Sequence, residues 1–264
     1  ETGSGKSFVT NYMVFNYYCS GALIRLIDIG GSYKKLCRIL GGAFVEFSRS
    51  SDIVLNPFSH VVDINDDGPV IAAIIGQMIY SGSNTPPNET ERSLIKNAVR
   101  YAYEHHGPEA NIDRVYEYLS GFRKYADEVL DMECQGNEEC VADLGLIASK
   151  LAFNLRDFTS EGPYGKWFNG KANLDISHDE FVVLELEELK KQPELFRVIT
   201  LQVLNYVTTD LYLSDRSRKR LIIFDEAWQF FKEGDMLRDV IEEGYRRARK
   251  YGGSFTTITQ SLLD

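Results

Sequence analysis

The sequence predicts an α/β fold with a mostly parallel sheet and an all-α insertion. Two patterns predict it. Short apolar runs alternate with helix-length segments near both ends of the chain, as strand–helix–strand units of a parallel sheet do. Between them, from Asp66 to Asp157, glycines thin out and helical periodicity takes over. The expected division is a core over 1–65 and 158–264, interrupted by a helical subdomain over 66–157.

The core elements follow in order. Glu1 to Ser7 is a glycine-rich loop, and Phe8 to Tyr18 is apolar and aromatic without a breaker, so it reads as a helix. Ala22 to Asp28 is rich in Leu and Ile and ends at Gly30-Gly31, as a strand buried on both faces does. Ser32 to Leu40 is a helix stopped by Gly41-Gly42, and Ala43 to Phe47 is a second strand. At Leu55-Asn-Pro57 the proline pushes Asn56 out of helical geometry. Inside the insertion, helices are expected over Pro69–Tyr80, Thr90–His105, Ile112–Ser120 and Val141–Leu155. The core resumes with a strand over Phe181–Leu186, a crossover helix over Pro193–Tyr212 and an apolar strand over Arg220–Asp225. A helix over Met236–Lys250 and a β-branched strand over Ser254–Thr259 complete it.

Composition narrows the class. With 264 residues, 44% of them hydrophobic, the chain can bury a large core. A formal net charge of -10 means that the surface as a whole does not attract polyanions. No run approaches the roughly 18 apolar residues that span a bilayer. Four cysteines are too few for a disulfide framework. Cys19 and Cys37 read as core residues, and Cys134 and Cys140 as thiols in an acidic loop.

Glu1-Thr-Gly-Ser-Gly-Lys-Ser7 matches the phosphate-binding pattern G-x-x-x-x-G-K-[ST] at all but its leading glycine, which would fall one residue before Glu1. The chain is therefore expected to be a piece of a longer protein. Gly3 and Gly5 let the backbone turn tightly, so that consecutive N–H groups face phosphate oxygens. The helix that follows adds its positive end. Lys6 can reach the β- and γ-phosphates, and the Ser7 hydroxyl can ligate Mg2+. Thr2, Gly3, Ser4, Gly5, Lys6, Ser7 and Phe8 form the expected nucleotide cradle. A Gly/Ser linker that merely contains a lysine would be followed neither by a helix nor by an acidic strand end, and here both follow.

That strand end is Leu221-Ile-Ile-Phe-Asp-Glu226, an apolar run closed by two carboxylates. The carboxyl ends of parallel strands are where ligands sit. Asp225 suits the metal side of a Mg-nucleotide, and Glu226 suits the orientation and deprotonation of attacking water. A buried strand ending in solvated acids looks the same in isolation; the pairing with the phosphate loop favours the chemical role.

Weaker signals stay open on residues alone. Gln260 ends the last strand and reads equally as a polar terminus or as a group that meets the γ-phosphate. Tyr245-Arg-Arg-Ala-Arg-Lys250 reads first as a basic helix end meeting its dipole, and second as an arginine finger for a neighbour's nucleotide. Asp28-Ile-Gly-Gly31 reads as a strand-to-helix turn or as a nucleotide contact. His105-His106 reads as a helix end rather than a metal pair, and Trp167-Phe168 as a core anchor.

Taken together, the chain resembles the VirB4/TraC ATPases of type IV secretion, in the FtsK–HerA branch of RecA-like P-loop motors. The resemblance rests on Glu1–Ser7, Leu55-Asn-Pro57, Asp225-Glu-Ala-Trp228, and Arg249-Lys-Tyr-Gly-Gly253 leading to Thr259-Gln-Ser261, in an order that covers nearly the whole chain. It implies a RecA-like P-loop core that uses ATP and Mg2+. It implies that Asp225 and Glu226 are the metal-side and catalytic acids, that Gln260 senses nucleotide state, and that Arg249 is the trans-acting finger. It further implies a hexamer or related homo-oligomer at the cytoplasmic face of the bacterial inner membrane. There such a motor meets secretion-complex components, with a coupling protein and a relaxase or DNA substrate as further partners, and powers pilus assembly and substrate transfer. The docking domain of this family would lie outside the sequence. Two other functions fit the same motifs: a DNA-translocating motor of the coupling-protein or HerA type, and a nucleotide-gated assembly scaffold with little turnover.

Overall fold

The computed structural model describes residues 5–83, 85–125, 138–213, 217–226 and 253–258; for Lys6, Ser7, Glu138, Tyr212 and Leu213 it describes the backbone alone. The expected helix over Met236–Lys250 lies outside these residues. Contacts divide the chain into two compact units. The first comprises 1–51, 175–196 and 203–264, and the second comprises 52–174 and 197–202. The second unit is thus wider than the 66–157 read from helical periodicity, because the turns on either side of the helices group with them.

The first unit is built on a five-stranded sheet in the order β2-β3-β1-β4-β5, every pair parallel. Its strands are β1 (Leu23–Asp28), β2 (Ala43–Glu46), β3 (Phe181–Glu185), β4 (Arg220–Asp225) and β5 (Gly253–Ile258). Helix α1 (Lys6–Cys19) precedes β1, and α2 (Lys34–Ile39) links β1 to β2. Every residue of β1, β3 and β4 is buried. That explains why these strands read as continuous apolar runs rather than alternating ones. Val14, Ile24, Leu26, Tyr33, Phe181, Val183, Leu221 and Ile223 make one core cluster. At the α2–β2 turn, a Cβ on Gly42 would come within 2.7 Å of the Phe181 carbonyl oxygen, so only glycine fits. The expected α1 extends past Tyr18 to Cys19, which is exposed rather than a core residue. Cys37 is buried as expected.

Arg25 on β1 and Arg220 on β4 lie in the sheet. The Arg25 side chain on β1 is 1% exposed and its Nε donates to Asp210 at 2.9 Å. Its Nη atoms donate to the carbonyls of Ile24, Asp179 and Ile176 at 2.8–3.2 Å. A buried guanidinium is tolerable only when its charge and its donors are met this fully. Asp210 lies on the long helix Pro193–Leu213, whose middle residues 197–202 group with the second unit.

The second unit holds helices α3 (Ile64–Ile79), α4 (Glu89–His106), α5 (Ile112–Ser120) and α6 (Glu138–Leu155), so the long helix is α7. No strand occurs among its described residues. Helix α3 begins before Pro69, its expected first residue. The Asp63 carboxylate caps the Asn65 N–H, and Asp66 and Asp67 favour the helix N-terminus, so the helix forms despite the interior proline. Asn88 and Glu91 form a reciprocal capping box on α4. Asn56, in the Asn-Pro pair, is 4% exposed. Its amide donates to the carbonyls of Ala110 and Gly170, and its oxygen accepts from Phe58 N–H. It therefore fastens the loops of this unit. Trp167 and Phe168 are buried anchors. His105 stacks on Tyr101 at 3.9 Å, and no metal-ligating cluster occurs among the described residues. Cys140 is disulfide-bonded, which corrects the expectation of a thiol there. No described helix is long and apolar enough to cross a membrane.

Replacing Arg25 with Leu should strand the Asp210 carboxylate and leave three carbonyls without their donors. The expected loss is about 3–5 kcal/mol, read as a lower urea midpoint with an unchanged slope.

Candidate nucleotide site

Three neighbouring strands bring carboxylates to one end of the sheet. Asp28 on β1 pairs in register with Glu185 on β3. Ile27 pairs with Phe224 on β4, so Asp28 and Asp225 follow at the same level. All three are nearly buried, at 1%, 4% and 6% exposure. In a parallel sheet this edge is where strands hand over to helices, and backbone N–H groups there can meet negative charge.

The donors are specific. Glu185 accepts from the N–H groups of Gly31 and Glu187, both at 2.9 Å. Asp28 Oδ2 accepts from Tyr33 N–H at 3.3 Å, while its Oδ1 meets no donor of its own. Burial and the facing Glu185 push the Asp28 carboxyl up to about 8. Burial and the charge of Glu185 both favour the neutral form of the Asp28 carboxyl. Asp225 Oδ1 accepts from Glu226 N–H at 2.8 Å. Its Oδ2 accepts from the Tyr33 hydroxyl at 2.6 Å. Burial and that bond to Asp225 raise the Tyr33 phenol far above its ordinary range, so it stays a donor.

The Thr10 side chain, on α1, lies near enough to Tyr33 to act on its phenol. Thr10 is one helical turn from Lys6, about 6 Å along the axis. Gly5 is the N-cap of α1, with φ 75°, as a glycine next to the lysine of the phosphate pattern allows. An L side chain would strain there. Glu226, the residue after the strand, holds φ 59° without being glycine. Such a conformation costs about 1–3 kcal/mol and gathers at functional sites.

The structure thus joins the α1 side of the sheet to the end of β4, through Thr10 and Tyr33. The side chains of Lys6 and Ser7 lie outside the described residues, as do Thr2, Gly3, Ser4, Trp228, Arg246, Arg247, Arg249 and Gln260. Phe8 is exposed on α1. Tyr33, Thr10 and Glu185 went unread in the sequence. A signal existed for Tyr33, which follows Gly30-Gly31-Ser32 directly after the acidic end of β1. Nothing in the sequence pairs Thr10 with it.

The family model of the TraG P-loop domain matches residues 1–264. The chain belongs to the TraG P-loop domain family. A curated relative of this P-loop domain is Protein TraC of Escherichia coli (strain K12), 27% identical over 267 residues. That match takes in all of this chain but 28% of TraC, so the chain spans little more than a quarter of that relative. VirB4 of Thermoanaerobacter pseudethanolicus has the same fold, with a TM-score of 0.73 at 21% identity, over 100% of this chain and 69% of that one. The plasmid coupling protein TrwB, in complex with the ATP analogue ADPNP, matches with a TM-score of 0.66 at 14% identity, over 98% and 62%. The RecA-like α/β core and the VirB4/TraC kinship implied by the motifs are both borne out.

The raised Asp28 carboxyl has a consequence for stability. The folded state holds a proton on Asp28 that the unfolded chain releases near pH 4, so this group contributes less stability as pH rises through the window from about 4 to about 8. Asp28→Asn keeps the neutral form at every pH. Its melting temperature should exceed the parent's by several degrees at pH 9, and the gain should shrink toward pH 5, as followed by circular dichroism.

Proposed function

We propose that this P-loop domain hydrolyses ATP with magnesium and that the hydrolysis powers a type IV secretion or conjugation machine. One observation carries the reading. The buried Asp225 carboxylate, at the end of β4, is tied through Tyr33 and Thr10 to the helix that starts at the Gly5 turn. Family membership and the ADPNP found in the TrwB structure support a nucleotide as ligand.

The donor chemistry fits the metal. Magnesium takes hard oxygen ligands, and Asp225 with the Ser7 hydroxyl supplies that type. A carboxylate has about four acceptor positions, so the Tyr33 and Glu226 donors are compatible with a metal-side role. When bound, magnesium would neutralise charge on the β- and γ-phosphate oxygens.

Each residue then has a role. Thr2, Gly3, Ser4, Gly5 and Phe8 line the phosphate turn with backbone N–H groups. Lys6 meets the β- and γ-phosphates. Glu226 orients and deprotonates the attacking water; its positive φ turns the chain just after Asp225 and sets where its carboxylate starts. Gln260 reads the γ-phosphate, and Arg249 reaches the nucleotide of a neighbouring subunit. The last role requires a ring, and a hexamer is the natural one. The whole protein would act at the cytoplasmic face of the inner membrane with secretion-complex components, moving a protein or DNA–protein substrate.

The Glu226→Gln variant tests the chemistry. A general base contributes about 10²–10⁴-fold, so phosphate release should fall at least a hundredfold while a fluorescent ATP analogue binds as tightly as before. Turnover equal to the parent's would remove Glu226 from the reaction.

A further inference from the structure

We infer that Tyr33 is a positioning residue: it orients the Asp225 carboxylate for magnesium and ties that orientation to the P-loop helix through Thr10. The inference rests on the reading of Asp225 as the metal-side acid.

The geometry is specific to a hydroxyl. Tyr33 is fully buried, and its cluster includes Val14, Ile24, Leu26, Leu221 and Ile223. A phenylalanine would fill that space equally well. Burying a hydroxyl in such surroundings is unfavourable unless it is hydrogen-bonded, and here the bond goes to Asp225 Oδ2 at 2.6 Å. The phenol has a single proton. With that proton given to Asp225, the contact with Thr10 must run from the Thr10 hydroxyl to the Tyr33 oxygen. Tyr33 is held at its other end too, where its N–H donates to Asp28 Oδ2.

The result is a carboxylate fixed at both oxygens. Glu226 N–H holds Oδ1 and Tyr33 holds Oδ2. Donors that fix a ligating side chain in this way set how tightly the metal is taken. The far end of the chain of contacts is α1, one turn beyond Lys6, so a shift of the phosphate turn is felt at Asp225 through Thr10 and Tyr33.

Three variants test this: Tyr33→Phe, Thr10→Val and, as control, Asp225→Asn. The readout is binding of a fluorescent ATP analogue as Mg2+ is titrated, compared with binding in EDTA. Tyr33→Phe should raise the half-saturating Mg2+ concentration about tenfold and leave binding in EDTA unchanged. Thr10→Val should shift the same curve in the same direction by less. The inference is overturned if the Tyr33→Phe curve coincides with the parent's while that of Asp225→Asn is displaced; Asp225 then keeps its role. It is equally overturned if Tyr33→Phe weakens binding as much in EDTA as in Mg2+, since that is a loss of structure alone. If Asp225→Asn also leaves the curve unmoved, the metal-side reading of Asp225 fails first. Should Tyr33→Phe not fold, Thr10→Val decides: a displaced curve supports the coupling and an unmoved one refutes it.

Discussion

The structure depends on how negative charge is crowded at one end of a parallel sheet. Register forces it: Asp28, Glu185 and Asp225 end three adjacent strands at one level. Water is largely excluded there. Bare carboxylates in such a place would repel one another and lose their hydration. The protein answers each in a different way. Glu185 is met by two backbone N–H groups, Asp28 by a retained proton, and Asp225 by a phenol and a backbone N–H. Asp225 has one donor at each oxygen and keeps further lone pairs that could meet a cation.

The same economy explains the loop between β1 and α2. Gly31 gives its N–H to Glu185, and two residues on Tyr33 gives its own to Asp28. A short segment thereby serves two strand ends, while the Tyr33 side chain serves a third. The loop is an adaptor that neutralises the sheet edge, and α2 starts directly after it. Elsewhere in the sheet, charge is handled by pairing, as with Arg25 and Asp210. Without such a partner, an arginine would not survive in a strand buried on both faces.

Most of the fold was legible because the strands are apolar on both faces and the helices carry their own punctuation. β1 and β4 could be read from Leu and Ile runs that end in acids. The start of α3 was misjudged because Pro69 is a stronger local signal than the Asp63 cap six residues before it. At the candidate site, legibility followed distance along the chain. Gly5 to Ser7 and Asp225-Glu226 are local patterns with a chemical meaning. The bond from Tyr33 to Asp225 spans 192 positions, and its partner Thr10 looks like any helix residue. No local pattern encodes a contact that exists only once β1 and β4 lie side by side.

Glu226 shows what the sequence could not reveal and the backbone does. Its φ of 59° is a conformation that glycine adopts freely and a glutamate adopts at a cost. Had the turn alone mattered, glycine would serve it without strain. The strained residue instead supplies both the N–H that fixes Asp225 and a carboxylate immediately beyond it. Strain retained where a simpler residue would relieve it is evidence that the side chain itself is needed. That carboxylate starts at the edge of a sheet whose other acids are already met by N–H groups, a phenol or burial in neutral form.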